Sequence, residues 1–149
     1  MLGTLNQKDI VNLLSSQVIG YLACSLNDES YLVPVNFVYK DNSIYAHSGP
    51  GKKLDMMRKN PNVCFAVSEI ETVFRWKSVI CRGRFQELTD PDERQQAMQL
   101  LIHRVMPLMQ HAEDHASHGI APEKEIGVTI EPIVYKITIL EKTGRFEHD

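Results

Sequence analysis

One stretch of the chain concentrates reactive side chains: His47-Ser48-Gly49-Pro50-Gly51-Lys52-Lys53 places an imidazole, a hydroxyl, two glycines and two ammonium groups within seven positions. The residues before it alternate and those after it follow a helical period, so the stretch predicts a strand running into a helix N-terminus. A helix start offers unpaired N–H groups and the positive end of the helix dipole. Glycines let a ligand approach the backbone, and lysines can neutralise a phosphate. The spacing is not that of a Walker A loop. The same residue types also make a solvent-exposed turn, and His47 also fits an exposed histidine at a strand end. Residue types alone leave both readings open.

Two further segments could form walls beside such an anion site. Over residues 31–39 the odd positions Tyr31, Val33, Val35, Phe37 and Tyr39 make one apolar face, which puts Pro34, Asn36 and Val38 on the other. Pro34 cannot donate to a strand ladder, so an edge or a bulge is expected there. Over residues 76–88 the same parity buries Val79, Cys81 and Phe85 and sets Trp76 and Ser78 together on the opposite face. An indole beside a hydroxyl suits a planar ring, and equally suits an edge cover or a protein interface.

A different chemistry is suggested by His103, His111, His115 and His118, with Glu113 and Asp114 among them. Those side chains could ligate a divalent metal or haem, but the helical period that would align them is weak, and solvated loop histidines explain them as well. Cys24, Cys64 and Cys81 form no Cys-x-x-Cys pair, and each lies in an apolar stretch. Buried free thiols are expected, with no disulfide framework.

The elements that must hold these residues follow from period and punctuation. A short helix begins at the cap Asn6 and buries Ile10, Leu13 and Leu14. Strands are predicted over 20–26, 30–39 and 43–47, joined by turns at Asn27-Asp28-Glu29 and Lys40-Asp41-Asn42. A helix over 52–59 stops at Asn60-Pro61, and strands over 63–67 and 76–88 flank a charged loop. A third helix starts at Thr89-Asp90-Pro91 and runs to about Val105. The polar stretch 110–125 reads as loop, and a last strand over 127–140 alternates Thr129, Ile133, Tyr135, Ile137 and Ile139 on one face. About six mostly antiparallel strands with three short helices point to a small closed barrel, with an open α+β sheet as the alternative.

Composition narrows the function classes. The 149 residues, 43% of them hydrophobic, suit one domain spanning 1–149. Sixteen Lys and Arg against 19 Asp and Glu leave a formal charge of −3, so no global field favours nucleic acid or an anionic membrane. No apolar run reaches the roughly 18 residues that span a bilayer. Residues 1–9 lack the basic and apolar regions of a signal peptide, and a cytoplasmic location is expected.

The order of segments resembles a known family. Tyr31-Leu32-Val33-Pro34-Val35-Asn36-Phe37, Ile44-Tyr45-Ala46-His47-Ser48, Lys53-Leu54, Arg58-Lys59-Asn60-Pro61-Asn62-Val63-Cys64-Phe65, Trp76-Lys77-Ser78-Val79 and Gly83 follow one another as in the pyridoxamine 5'-phosphate oxidase-like flavin-binding superfamily, nearest to its nitroimidazole-resistance branch. The resemblance implies a mainly β split barrel that forms a homodimer and holds FMN between subunits. It implies that Lys53 meets the flavin phosphate, with His47, Ser48, Lys52 and Leu54 beside it. It also implies that Pro34, Val35, Asn36 and Phe37 form one contacting strand, and Trp76, Ser78 and Val79 a second. Reduction of small acceptors such as nitroaromatic compounds is the implied activity, with His47 as proton donor; a flavin-binding sensor without turnover is the alternative. The chain closes on Thr143-Gly144-Arg145-Phe146-Glu147-His148-Asp149. It therefore lacks the family oxidases' C-terminal Arg-Leu-x-Pro substrate signature, and pyridoxamine phosphate oxidase activity is not expected.

Overall fold

The computed structural model describes residues 1–108 and 132–149. In chain order the elements are β1 (Leu2–Thr4), α1 (Gln7–Ser16), β2 (Ile19–Leu26), β3 (Glu29–Asn36), β4 (Val38–Lys40), β5 (Ser43–Ser48), α2 (Lys52–Lys59), β6 (Asn62–Thr72), β7 (Arg75–Glu87), α3 (Pro91–Val105) and β8 (Ile133–Glu147), with a 3-10 turn at Met106–Leu108. The strands form one sheet in the order β3-β2-β6-β7-β8-β5-β4, with β1 also pairing β8. Every pairing is antiparallel. The two end strands are consecutive in the chain, only Phe37 separating Asn36 of β3 from Val38 of β4, so the sheet's edges converge there. The architecture is a split β-barrel with three helices, as expected, and it has eight strands among the described residues where about six were expected.

Local chemistry explains the turns. Leu26 faces Glu29, and Lys40 faces Ser43, which leaves two-residue hairpin loops. Both loops need positive φ at each position, and Asn27, Asp28, Asp41 and Asn42 supply φ of 50°, 64°, 50° and 60°. Asn6 Oδ1 accepts the Asp9 N–H at 2.8 Å to start α1, and Asp90 Oδ2 accepts the Glu93 N–H at 3.1 Å to start α3.

Several boundaries differ from expectation. The strand expected over 30–39 breaks at Phe37, whose N–H donates to Val18 O at 3.0 Å. The charged loop expected over 68–75 is mostly strand: Ser68, Glu69 and Ile70 pair with Ser78, Lys77 and Trp76, leaving Val73 and Phe74 as the hairpin tip. None of its residues beyond Val67 and before Val79 is fully buried, so no buried apolar period marks it. The last strand runs on to Glu147 instead of stopping at Leu140, because the inward positions there are Lys142, Gly144 and Phe146, which do not read as an apolar stripe. Thr129 and the start of the strand expected over 127–140 lie outside the described residues.

The main core fills the barrel. Phe37 and Phe65 meet edge to face at 4.9 Å between ring centroids, surrounded by Leu22, Ile44, Val79 and Ile137. Ile10, Leu13 and Leu14 of α1 and Leu54 and Met57 of α2 close it. A smaller second cluster of Leu88, Ala97 and Val134 seats α3 on the outside of the sheet. Glycine is required where strands crowd: a Cβ on Gly20 would lie 2.2 Å from Phe65 Cζ, and one on Gly83 would lie 2.8 Å from the Thr138 carbonyl oxygen. Among the described residues no helix is long and apolar enough to cross a membrane.

Candidate functional site

The strand-to-helix junction predicted from sequence is present. Strand β5 ends at Ser48, α2 begins at Lys52, and Gly49, Pro50 and Gly51 connect them. The helix start has no side-chain cap, so its first N–H groups after Gly51 are available to an external acceptor. A Cβ on Gly49 or Gly51 would meet nothing within 4 Å, which means that no packing inside the chain demands glycine at either position. Open space over uncapped N–H groups is what an incoming anion needs.

The two lysines divide sharply. Lys53 is half-buried, and among the described residues it pairs with no carboxylate. Burial holds its ammonium below the ordinary lysine value. Lys52 turns outward: it forms an ion pair with Glu29 on the β2–β3 hairpin, and its ammonium lies 5.3 Å from the Tyr31 ring centroid. Of the pair, Lys53 is the one presented to the junction.

Strand β3 brings the second wall. It is an end strand of the sheet, as Pro34 required, with Pro34 opposite Tyr21 and Asn36 opposite Ile19. Because β3 approaches β5 where the barrel splits, Pro34, Val35, Asn36, His47, Ser48, Gly49 and Lys53 line one cavity of about 200 Å³. Six of the residues singled out from sequence therefore meet in one place. Gly49, one of the two glycines noted in the motif, joins them. The Ser48 hydroxyl donates to Gly49 O at 2.8 Å, a bond inside the loop.

The remaining expected residues lie elsewhere. The side chains of Phe37, Leu54 and Val79 are completely buried in the core, which leaves only their backbone to offer a ligand. Trp76 and Ser78 share the outer sheet face with Pro34 and Asn36, as the parity argument required. Three strand spacings separate β7 from β3, about 14 Å at the usual inter-strand distance. Trp76 Nε1–H donates to Glu147 at 3.0 Å and lines a separate cavity of about 260 Å³ with Glu69, Arg75 and Phe146. Glu29 and Glu147, the carboxylates that orient Lys52 and Trp76, were not anticipated; the hairpin and ladder registers that place them are readable only once strand ends are known.

Most of the histidine cluster considered for a metal lies outside the described residues. His103 is exposed on α3, while His111, His115, His118, Glu113 and Asp114 lie outside the described residues. Among the described residues no three His, Cys, Asp or Glu side chains converge as a metal site. Cys24, Cys64 and Cys81 are free. Burial raises the Cys24 thiol and pushes Cys81 up to about 12, so both stay protonated at neutral pH, as structural thiols do.

Comparison with known proteins connects this geometry to a family. The model of the pyridoxamine 5'-phosphate oxidase family matches residues 6–145. A FAD-binding protein of Mesorhizobium loti shares the fold with a TM-score of 0.80, 27% identity and coverage of 99% of both chains. A proposed 5-nitroimidazole antibiotic resistance protein of Bacteroides thetaiotaomicron has a TM-score of 0.71 and 21% identity over 98% of this chain and 89% of its own. A FAD-binding protein of Mycobacterium smegmatis has a TM-score of 0.65 at 22% identity, covering 97% of this chain and 98% of its own. An uncharacterised protein of Rhizobium meliloti is 34% identical over 84 residues, a stretch that spans only 56% of either chain.

Proposed function

The chain belongs to the pyridoxamine 5'-phosphate oxidase family, and from that premise we propose that it is a flavoprotein which holds FMN by its phosphate at the start of α2 and reduces small acceptors of the nitroaromatic class. The observation that carries this reading is the pairing of an uncapped helix start with a half-buried lysine that has no carboxylate partner among the described residues. A phosphate dianion would satisfy both at once. The FAD-binding relatives support a flavin. They also favour FAD as a second reading, in which the same contacts grip a pyrophosphate.

The bound flavin supplies the hydride and electron chemistry; the chain supplies position and protons. Lys53 and the α2 N–H groups fix the phosphate, and the Pro34 to Asn36 edge limits the space beside it. His47, on the cavity wall, is the group placed to donate a proton while an acceptor takes up electrons.

The active form is a homodimer. In a single chain Trp76 and Ser78 lie far from the phosphate cavity across the outer sheet face. That face is apolar and open: Tyr21 and Ile80 are each 51% exposed and Leu32 62%. A second copy seated on this face would cover the patch and bring its own Trp76 strand toward the first copy's flavin.

The visible spectrum of the purified protein, with mass analysis of the ligand released on denaturation, tests the reading. Flavin absorption with the FMN mass is expected, and the FAD mass would select the second reading. A colourless protein that takes up neither flavin on titration would end both.

A further inference from the structure

We propose that the space between α3 and the outer face of β4, β5 and β8 is a second small-molecule site, shaped for an organic monoanion with a flat or apolar body. This cavity has a volume of about 450 Å³, within the roughly 300–1,000 Å³ range of sites for small ligands. It shares no lining residue with the phosphate cavity, so the proposal stands apart from the flavin reading.

The floor is fixed packing. Leu88 and Ala97 are buried members of the cluster that seats α3, and Leu100 extends it toward the opening. Tyr45 rises from β5 as a half-buried aromatic wall. It projects from the same strand face as His47, two residues along, so the two cavities are neighbours on β5.

Cations flank that wall. Lys136 lies directly across from Tyr45 in the β5–β8 ladder and is half-buried; Lys40 stands on the other side, two residues from Val38, which also faces Tyr45. Among the described residues neither lysine pairs with a carboxylate. A ligand carboxylate would give the half-buried Lys136 ammonium a direct partner. Gln96, Gln99 and His103 on α3 add hydrogen-bonding groups opposite. Asp41 and Glu93 also line the cavity, and their charges offset the two lysines. A multiply charged anion would be repelled by them, whereas a single carboxylate set between Tyr45 and Lys136, with its body on the Leu88 and Ala97 floor, meets one ammonium directly.

The test uses 2-naphthoate as probe, titrated into the purified protein and followed by calorimetry, with neutral 2-naphthalenemethanol in parallel. Saturable one-site binding is expected for the carboxylate, at least fivefold tighter than for the alcohol. Lys136→Gln should weaken it at least fivefold, and Lys40→Gln, an exposed change that leaves the core untouched, should weaken it by a smaller factor. Lys53→Ala should leave it unchanged. The proposal is overturned by absence of saturable binding, by equal affinity for the two probes, by indifference to both Lys136→Gln and Lys40→Gln, or by loss in Lys53→Ala, which would put the probe in the phosphate cavity.

Discussion

Neighbouring lysines at a helix start look interchangeable in sequence, yet Glu29 engages Lys52 and leaves Lys53 facing the cavity. Lys53→Ala should therefore remove a charge-assisted contact of about 1.5 to 3 kcal/mol and weaken FMN binding tenfold or more. Lys52→Ala should change it little, because an ion pair exposed on both partners contributes little. Riboflavin, without a phosphate, should bind both variants as it binds the parent; equal losses for riboflavin and FMN would place the lysine's role elsewhere. The pH dependence follows from the direction of the Lys53 shift. Its folded pKa lies below the unfolded value, so the charge costs stability at neutral pH, and that cost fades as pH rises through the lowered value. A bound dianion reverses the preference and raises the pKa. FMN affinity should accordingly fall with pH above the free protein's Lys53 value while riboflavin affinity stays flat, which fluorescence titration across alkaline pH can read. His47 makes a kinetic prediction instead. His47→Ala should retain FMN but slow reoxidation of the reduced protein by a nitroarene, with the deficit in turnover more than in cofactor affinity. Parental rates from pH 5 to 8 in stopped flow would make His47 a bystander.

At the scale of elements, the β7–β8 pairing carries the most exacting constraint. The register slips between Arg82 and Gly83, where Gly83 faces Ile139 and the next pair is Arg82 with Glu141. Leu140 is thus the extra residue of a bulge, and the Gly83 backbone approaches the Thr138 carbonyl. Gly83→Ala should destabilise the fold by about 1 to 3 kcal/mol, since a Cβ there would meet the Ile137 side chain at 2.5 Å and the Thr138 carbonyl oxygen at 2.8 Å, and the carbonyl is backbone that cannot rotate aside. Urea unfolding should show a lower midpoint with an unchanged slope; an unchanged midpoint would show that the strands slide freely there. No single-residue pattern announced this bulge. Hairpin turns, by contrast, were legible because Asn27-Asp28 and Asp41-Asn42 tolerate positive φ without help from tertiary packing. The helix caps at Asn6 and Asp90 were legible for the same local reason. What escaped was structure held by partners distant in sequence: β1 against the end of β8, the 68–72 extension of β6, and the polar half of β8. The site followed the same division. Its strand-to-helix junction was visible as a motif, whereas Glu29's capture of Lys52 depends on a hairpin bringing together residues 23 positions apart.

For the whole molecule, the outer face of the sheet decides what the single chain leaves unfinished. Across it, paired positions read Pro34, Tyr21, Ala66, Ile80 and Thr143 in one row and Leu32, Ala23, Cys64, Arg82 and Glu141 in the next. The apolar part spans β3, β2 and β6 in both rows and reaches Ile80 of β7 in the first, and the Arg82–Glu141 ion pair closes one rim at 3.3 Å. Apolar centre and charged rim are the layout of an interface between folded partners. The face also carries Pro34 and Asn36 of the cavity beside α2 at one side and Trp76 and Ser78 at the other. Covering it with a second copy therefore links assembly to cofactor binding, and ligand should stabilise the dimer by mass action. Tyr21→Glu and Ile80→Glu place charges at the centre of the patch on side chains that are half exposed in the single chain. Each should yield a folded monomer in sedimentation, with FMN affinity lowered at least tenfold as well. A monomeric variant that binds FMN as tightly as the parent would separate the two properties, and the flavin would then belong to one chain alone.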